Sequence, residues 1–179
     1  MSVPAGAEAS RHYVVSTADS VLTFEAQSTL HAVRGKNSSI AGYIDADSTP
    51  DGTIVLEPMP AMHIDMAVEG LTSGSGILDQ QMWKLIDSKR FPRISADLRA
   101  LAPGSSAGRF TATGDVTLAG RVRSYDGELV FGLDPGGLVV DGDLVVDIRD
   151  FGLTPPSLLI LRVDPVVKVH LHLVAKVNA

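Results

Sequence analysis

Residues 162–177 read RVDPVVKVHLHLVAKV, and apolar and polar side chains alternate along almost all of this stretch. One parity is apolar throughout; it carries Val163, Pro165, Val167, Val169, Leu171, Leu173, Ala175 and Val177. A period of two indicates a β-strand with one dry face and one mostly wet face. At about 3.3 Å per residue it would run roughly 50 Å, well beyond an ordinary strand of about 20 Å. Strands of this length wall a sandwich or a barrel, so the content of the interior becomes the functional question.

Shorter alternating segments recur along the rest of the chain. They cover residues 13–16, 21–28, 40–45, 53–57, 62–68, 94–101, 109–118, 122–133 and 138–149. Residues 48–52, Ser-Thr-Pro-Asp-Gly, predict a hairpin turn between the third and fourth of these segments. Together with the last strand, this pattern predicts an all-β fold with a closed, mostly antiparallel sheet.

One segment has helical rather than strand periodicity. Its apolar residues recur at helical spacing over about residues 76–88, and Pro92 follows shortly afterwards. Pro155 and Pro156 favour a second, short helical turn near 156–161. No linker divides residues 13–179, which predicts a single domain, whereas residues 1–12 are small and polar and are expected to be poorly ordered.

Composition and charge exclude several classes of function. A net charge of -6 argues against a nucleic-acid or anionic-membrane partner, and the absence of cysteine excludes disulfides and thiolate catalysis. No window reaches the ~20 apolar residues that cross a bilayer. Residues 1–12 contain neither the basic nor the apolar region of a signal peptide. We therefore expect a cytoplasmic protein, or a periplasmic or secreted one if the chain derives from a longer precursor.

Motifs of catalysis and of metal binding are weak in this chain. The sequence lacks a Gly-x-Ser-x-Gly elbow, a phosphate-binding Gly-Lys-Ser/Thr loop and a dinucleotide fingerprint, so we predict no catalytic residues and no enzyme. His170 and His172 could reach one metal ion, but Lys168 and Lys176 share their face, which favours a solvated outer surface. Asp141, Asp143 and Asp147 are expected to protect an outer face against edge pairing.

The apolar faces of the predicted strands mix large residues with small ones. The small ones are Ala26, Gly42, Ala96, Ala112, Gly114 and Gly142. A barrel of about eight strands is just wide enough to fill itself or to hold one slender ligand. Small inward residues favour the ligand. The alternative is a barrel filled by its own side chains that serves as a dimeric protein-interaction module.

Four segments together resemble the YceI-like family. The first is Ser20–Phe24 with Ser28–Gly35 and Gly42; the second is Leu78–Ile94; the third is Gly114–Arg123; the fourth is Asp150–Gly152, followed by a Pro-containing segment and the long last strand. Their order and spacing extend over Tyr13 to Val177. Leu78 stands where the family usually has Arg, and Val122 stands where it has Thr.

The resemblance implies a fold and a class of ligand. It implies an extended, eight-stranded, antiparallel lipocalin-like barrel around a hydrophobic tunnel, without a cofactor or a bound metal. The ligand would be a polyisoprenoid, a prenylquinone or a similar long lipid, and homodimers are known in the family. The candidate tunnel contacts are Phe24, Leu30, Met66, Ile77, Met82, Trp83, Phe91, Phe110 and Phe151. His31 and Arg34 are the candidates for a polar mouth, and Trp83 suits both a lid and a ligand contact.

Overall fold

A computed structural model of the chain describes residues 11–49, 53–135, 137–155, 157–158 and 161–178. These residues contain eleven strands, one α-helix and two short 3-10 helices. The strands are β1 (Arg11–Val15), β2 (Val21–Ser28), β3 (Val33–Asn37), β4 (Ala41–Ala46), β5 (Ala61–Ala67), β6 (Arg93–Pro103), β7 (Arg109–Leu118), β8 (Arg121–Asp134), β9 (Gly137–Asp147), β10 (Ser157–Leu158) and β11 (Leu161–Val177). Helix α1 is Gly76–Ile86, and the 3-10 helices are Val68–Gly70 and Ile148–Phe151.

Eight of the strands close into an antiparallel barrel, as the sequence predicts. Around the barrel they follow the order β1, β4, β5, β6, β7, β8, β9 and β11, and β11 pairs back onto β1. Strands β2 and β3 are additional: β2 pairs with β11, and β3 pairs with β2. Full closure leaves the eight barrel strands without a free edge.

Strand β11 is the longest element and pairs with different strands along its two edges. One edge pairs with β9 continuously from Val166 to Lys176. The other edge pairs first with β2, from Val163 to His172, and then with β1 at residues 175–177. The long alternating segment of the sequence is therefore one strand, which pairs with β9 along one edge and with β2 and β1 along the other.

Helix α1 lies in the long connection between β5 and β6. The Ser75 side chain accepts a hydrogen bond from the Leu78 amide at the start of the helix, which is the usual role of an N-cap serine. The helix ends at Ile86, and the next residue, Asp87, adopts a left-handed conformation and donates its amide to the Lys84 carbonyl oxygen. The described helices include none with the length and apolar character needed to span a membrane.

Local details differ from the sequence prediction at several points. Residues 53–57 do not form the second strand of a hairpin: Ile54 makes only an isolated bridge with Ser48, and β4 pairs with β5 instead. Strand β3 was not predicted, because its short Val-Arg-Gly-Lys-Asn sequence has little apolar alternation. Residues 1–10 lie outside the described residues, while Arg11 and His12 already belong to β1.

The predicted helical turn near 156–161 is also wrong where it can be compared. Ser157 and Leu158 form β10 and pair antiparallel with Arg162 and Leu161, so backbone pairing with the long strand takes the place of a helical turn. Residues 156, 159 and 160 lie outside the described residues.

Candidate functional site

One half of the barrel is filled by its own side chains. This half includes β1, β4, the start of β7, the end of β8, the start of β9 and the C-terminal part of β11. Its fully buried residues are Ile40, Ile44, Leu138, Val140, Leu173 and Ala175. The rings of Phe110 and Phe131 meet edge to face here, with centroids 5.4 Å apart. This geometry is favourable for aromatic pairs and leaves little space between them.

The other half contains an apolar cavity of about 300 Å³. Side chains from β2, β5, β6, β7, β8, β9, β11 and α1 line it. The main contributors are Leu22, Phe24, Ile64, Met66, Ile94, Ala96, Ala112, Val116, Leu129, Leu144, Val146, Val167, Val169, Leu171, Met82 and Ile86. Apolar cavities of this kind stay dry or take up apolar ligands, because water finds too few hydrogen-bond partners in them.

The boundary between the two halves follows the strand register. Leu129, Gly142 and Leu171 are register partners on β8, β9 and β11, and all three line the cavity. The next row towards the filled half contains Phe131, Val140 and Leu173. None of that row is among the described residues that line the cavity. A Cβ at Gly142 would lie 2.8 Å from Leu129 Cδ2, so the Leu129 side chain covers this glycine. The row Leu129, Gly142 and Leu171 is therefore the floor of the cavity, and the filled half begins with the next row.

At the opposite end, α1 and a 3-10 helix cover the barrel. Phe151, in the 3-10 helix, is only 1% exposed and packs in a second apolar cluster with Val68 and Val146. Trp83 packs against the same cluster from α1, and its Nε1 donates a hydrogen bond to the Leu71 carbonyl oxygen at 2.9 Å. Trp83 thus helps to hold the helix as a lid on the barrel.

Tyr125 lines the cavity and packs against the lid. Its hydroxyl donates to Asp150 Oδ2 at 2.6 Å and lies 3.2 Å from the Asp147 carbonyl oxygen, and its ring stacks on Phe151. Burial, followed by the hydrogen bond and charge of Asp150, raises the pKa of the Tyr125 phenol well above its usual value. The phenol is therefore neutral, and its hydrogen-bonding capacity as a donor is already used.

The charge around the cavity is unsuited to an anionic group. Among the described residues that line it, none is Lys, Arg or His. Two acidic residues at its walls, Asp97 and Asp143, direct their carboxylates to the outer face of the sheet, where they bond to His63 at 2.7 Å and to His170 at 2.8 Å. An enclosed anion would find no counter-charge, and a buried, unpaired charge is costly. The cavity suits uncharged hydrocarbon.

Three of the predicted tunnel contacts line the cavity. They are Phe24 on β2, Met66 on β5 and Met82 on α1. Phe24 lies across from Gly35 on β3, where a Cβ would overlap its ring, so the glycine makes room for this aromatic side chain. The inward parity of the predicted strands identified Phe24 and Met66, and the helical spacing identified Met82.

Four other predicted aromatic contacts lie elsewhere. Phe110 belongs to the filled half, and Phe151 and Trp83 belong to the lid cluster. Phe91 packs on the β7–β8 turn: a Cβ at Gly120 would lie 2.6 Å from its ring. These four residues are not among the described residues that line the cavity. Their rings pack against other side chains in the filled half, in the lid cluster or at the β7–β8 turn.

The remaining predicted contacts are exposed. Leu30 is 65% exposed in the connection between β2 and β3, and Ile77 is 68% exposed at the start of α1, off the face that carries Leu78 and Met82. Leu30 and Ile77 are not among the described residues that line the cavity. His31 and Arg34 are also exposed, and Arg34 Nε donates to Glu25 Oε2 at 3.2 Å.

Most cavity residues were not singled out from the sequence. Examples are Ile64, Leu129, Leu144 and Val169. Each lies on the inward parity of its strand, so the alternating pattern contains the signal that they face the interior. The pattern does not distinguish a position in the hollow half from one in the filled half.

The outer face of β9 and β11 carries histidine–aspartate pairs. His170 Nδ1 lies 2.8 Å from Asp143 Oδ1, and His172 Nδ1 lies 2.7 Å from Asp141 Oδ1. The role predicted for these aspartates as edge protection is wrong, because β9 pairs with strands on both sides. Within the described part of the chain, no group of three or more His, Asp or Glu side chains is placed to hold a metal ion.

Comparison with known proteins adds a family and a fold. The family model described as the YceI-like domain matches residues 13–175 of the chain. A search of curated proteins found none that matches this chain.

Several solved structures have a similar fold. The crystal structure of BcnA from Burkholderia cenocepacia has a TM-score of 0.74 at 17% identity, and the match covers 90% of this chain and 99% of that one. A polyisoprenoid-binding domain from Saccharophagus degradans, implicated in plant cell wall breakdown, has a TM-score of 0.68 at 13% identity, with 93% and 98% covered. A YceI protein from Campylobacter jejuni has a TM-score of 0.63 at 14% identity, with 82% and 86% covered. At these identities the likeness shows the fold.

Proposed function

The chain belongs to the YceI-like domain family, and from this premise we propose that it binds the apolar tail of a lipid or isoprenoid inside the barrel, without catalysing a reaction on it. One of the similar structures is a polyisoprenoid-binding domain, which supports the ligand class. The observation that carries the proposal is the apolar cavity of about 300 Å³ in one half of the barrel. Ligand pockets in proteins have volumes of about 300–1,000 Å³.

The energetics of tail binding suit a carrier or a sequestering protein. Each buried methylene contributes about 0.8 kcal/mol, and binding costs about 4–15 kcal/mol in lost freedom. A bilayer or a micelle solvates the same tail equally well. The net preference of the tail for the protein over a membrane is therefore small, so the protein can both take up and release its cargo.

We assign His31 and Arg34 to the polar rim of the site. They flank Val33, which lines the cavity at the start of β3, and both are exposed. A head group that stays outside the cavity would meet these donors, whereas the enclosed tail would meet only apolar side chains. Arg34→Ala is expected to weaken binding of ligands with an anionic head group and to leave neutral ligands unaffected.

A cavity-filling variant tests the proposal directly. Ala96 is on β6 and faces the cavity, so Ala96→Phe would place a ring in the ligand space. Ala100 is on the same strand and is exposed, so Ala100→Phe is a matched control. We expect a neutral apolar dye to bind the native chain and Ala100→Phe with one-to-one stoichiometry, and Ala96→Phe to lose this binding at least tenfold. Farnesol should displace the dye.

Native mass spectrometry after gentle purification, followed by organic extraction, would identify a resident lipid. A native chain that is always recovered empty and that binds neither the dye nor farnesol would contradict the proposal. That result would favour the alternative, a barrel that is filled by its own side chains and serves as a protein-interaction module. The observation in favour of this alternative is the filled half of the barrel.

A further inference from the structure

We infer that the cavity encloses only about the last dozen carbon atoms of a neutral apolar chain, and that Phe131 and its register row set this limit. The inference rests on the proposed function and concerns which ligands the same site prefers. It predicts that affinity increases with chain length up to this limit and then stays level.

The volume of the cavity gives the first argument. An apolar cavity of about 150 Å³ accommodates benzene, which has six carbon atoms. The cavity here has about 300 Å³ and would therefore hold roughly twice as many. A long polyprenyl tail would have only its end enclosed, and the rest would remain outside the apolar walls.

The register row behind the floor gives the second argument. Beyond Leu129, Gly142 and Leu171, the interior is closed by Phe131, whose ring meets Phe110 at an interplanar angle of 83°. Leu138 and Ala175 are 0% exposed behind that row, so no second void continues the first along β9 and β11 among the described residues. A tail that reaches Leu129 has no further space to enter.

The chemistry of the walls gives the third argument. The described lining contains no cationic side chain, and the Tyr125 hydroxyl is already bonded to Asp150. The enclosed part of the ligand is therefore its uncharged end, and a head group stays at the opposite end of the chain. The length of the apolar chain is then the property of the ligand that determines its affinity for the cavity.

A homologous series of straight-chain primary alcohols, from six to eighteen carbons, tests the inference by displacement of a neutral apolar dye. Up to about twelve carbons, each added methylene should increase affinity by about fourfold, as full burial implies. Beyond that length, each added methylene should change affinity by less than twofold. A continued fourfold increase per methylene up to eighteen carbons would overturn the inference while leaving the proposed function intact.

Failure of the proposed function looks different. If no alcohol of any length displaces the dye, or if Ala96→Phe binds the series like the native chain, the cavity is not the binding site. Geraniol, farnesol and geranylgeraniol repeat the comparison for branched chains, and the same levelling is expected between the first and the last of them.

Substitutions of Phe131 distinguish a length limit set by the cavity from a generally low affinity of long chains. Phe131→Ala removes the ring behind Leu129, so its affinity should continue to increase for about four more carbon atoms. Phe131→Leu retains more of the packing and should give a smaller shift in the same direction; it serves if the alanine variant does not fold. Leu133→Ala is the control, because Leu133 lies on the same strand and parity, one register row further from the cavity than Phe131, and is 45% exposed. A folded Phe131 variant that levels off at the native length, or a Leu133→Ala variant that shifts as far, would refute the role of Phe131.

Discussion

At the scale of single residues, the barrel depends on a few places where two strands approach closely. Gly42 on β4 is register partner to Ile64 on β5 and has a φ of 149°. A Cβ at this position would overlap the carbonyl oxygen of His63. Glycine is required here for two reasons, the unusual φ and the lack of space.

Gly42→Ala should therefore be strongly destabilising, by about 3 kcal/mol, since strain and overpacking both apply. Urea denaturation followed by circular dichroism measures the change. Gly132→Ala is the control: Gly132 is exposed on β8, and a Cβ there would meet nothing within 4 Å. Equal effects of the two substitutions would refute the close approach of β4 and β5.

Tyr125 should make stability depend on pH in the alkaline range. Its phenol pKa is raised in the folded chain, chiefly by burial, so the folded state keeps the proton longer than the unfolded state. The contribution to stability is fully present below the unfolded value of about 10 and is lost as pH increases through the folded pKa. Tyr125→Phe should therefore lose less stability than the native chain between pH 9 and pH 11, as urea midpoints would show.

Tyr43→Phe serves as the comparison for this titration, because Tyr43 is on the outer face and 39% exposed. It removes a phenol hydroxyl without touching the cavity or the lid. If Tyr125→Phe and the native chain lose stability equally between pH 9 and pH 11, the Tyr125 phenol is not penalised by burial in the folded chain.

At the scale of elements, a buried carboxylate on α1 holds the segment that leads into the helix. Asp79 is 8% exposed, and its Oδ1 accepts hydrogen bonds from the Ser73 amide at 2.7 Å and the Ser73 hydroxyl at 2.6 Å. These contacts order the connection that leads into the helix. The apolar face of α1 then packs over the cavity through Leu78 and Met82.

Asp79→Ala should destabilise the chain by about 2 kcal/mol, because it leaves the half-buried Ser73 amide without its acceptor and removes the shorter of the two hydrogen bonds that the Ser73 hydroxyl donates. Asp79→Asn retains an acceptor oxygen and should recover part of the loss. The neighbouring Gln80 is exposed, so Gln80→Ala should change the unfolding free energy by less than about 0.5 kcal/mol. An Asp79→Ala variant as stable as Gln80→Ala would show that the carboxylate is not a fastening contact.

At the scale of the whole molecule, a filled half supports a hollow one. Empty space costs about 24 cal/mol per Å³, so a void of about 300 Å³ corresponds to roughly 7 kcal/mol of packing that the empty barrel lacks. The closed sheet and the filled half hold the barrel together despite this loss. A ligand in the cavity would recover part of it.

Bound ligand should therefore stabilise the chain. At a free ligand concentration of about 100 times Kd, the gain is about 2.7 kcal/mol, which for a domain of this size raises Tm by about 5–10 °C. A thermal melt with and without dodecanol measures the shift. Ala96→Phe fills the cavity itself and should show a shift below about 2 °C; an equal shift in both proteins would place the ligand elsewhere.

Several features of the fold and of the site could be predicted from the sequence. Alternation predicts β11 and the inward side of Phe24 and Met66, and helical spacing predicts α1 and Met82. Alternation could not predict that Leu30 is exposed at a turn, or that Phe110 is used in packing. These outcomes depend on where the strand register places each side chain along the barrel.

By itself, the sequence determined the all-β class, the long last strand, helix α1 and the apolar character of the interior, because these follow from the local period of apolar side chains. Only the tertiary structure decided that the interior is hollow on one side of the row Leu129, Gly142 and Leu171 and filled on the other. The reason is physical: a void depends on which side chains from different strands meet at one level. Pairing across the barrel sets that level, and no single strand encodes it.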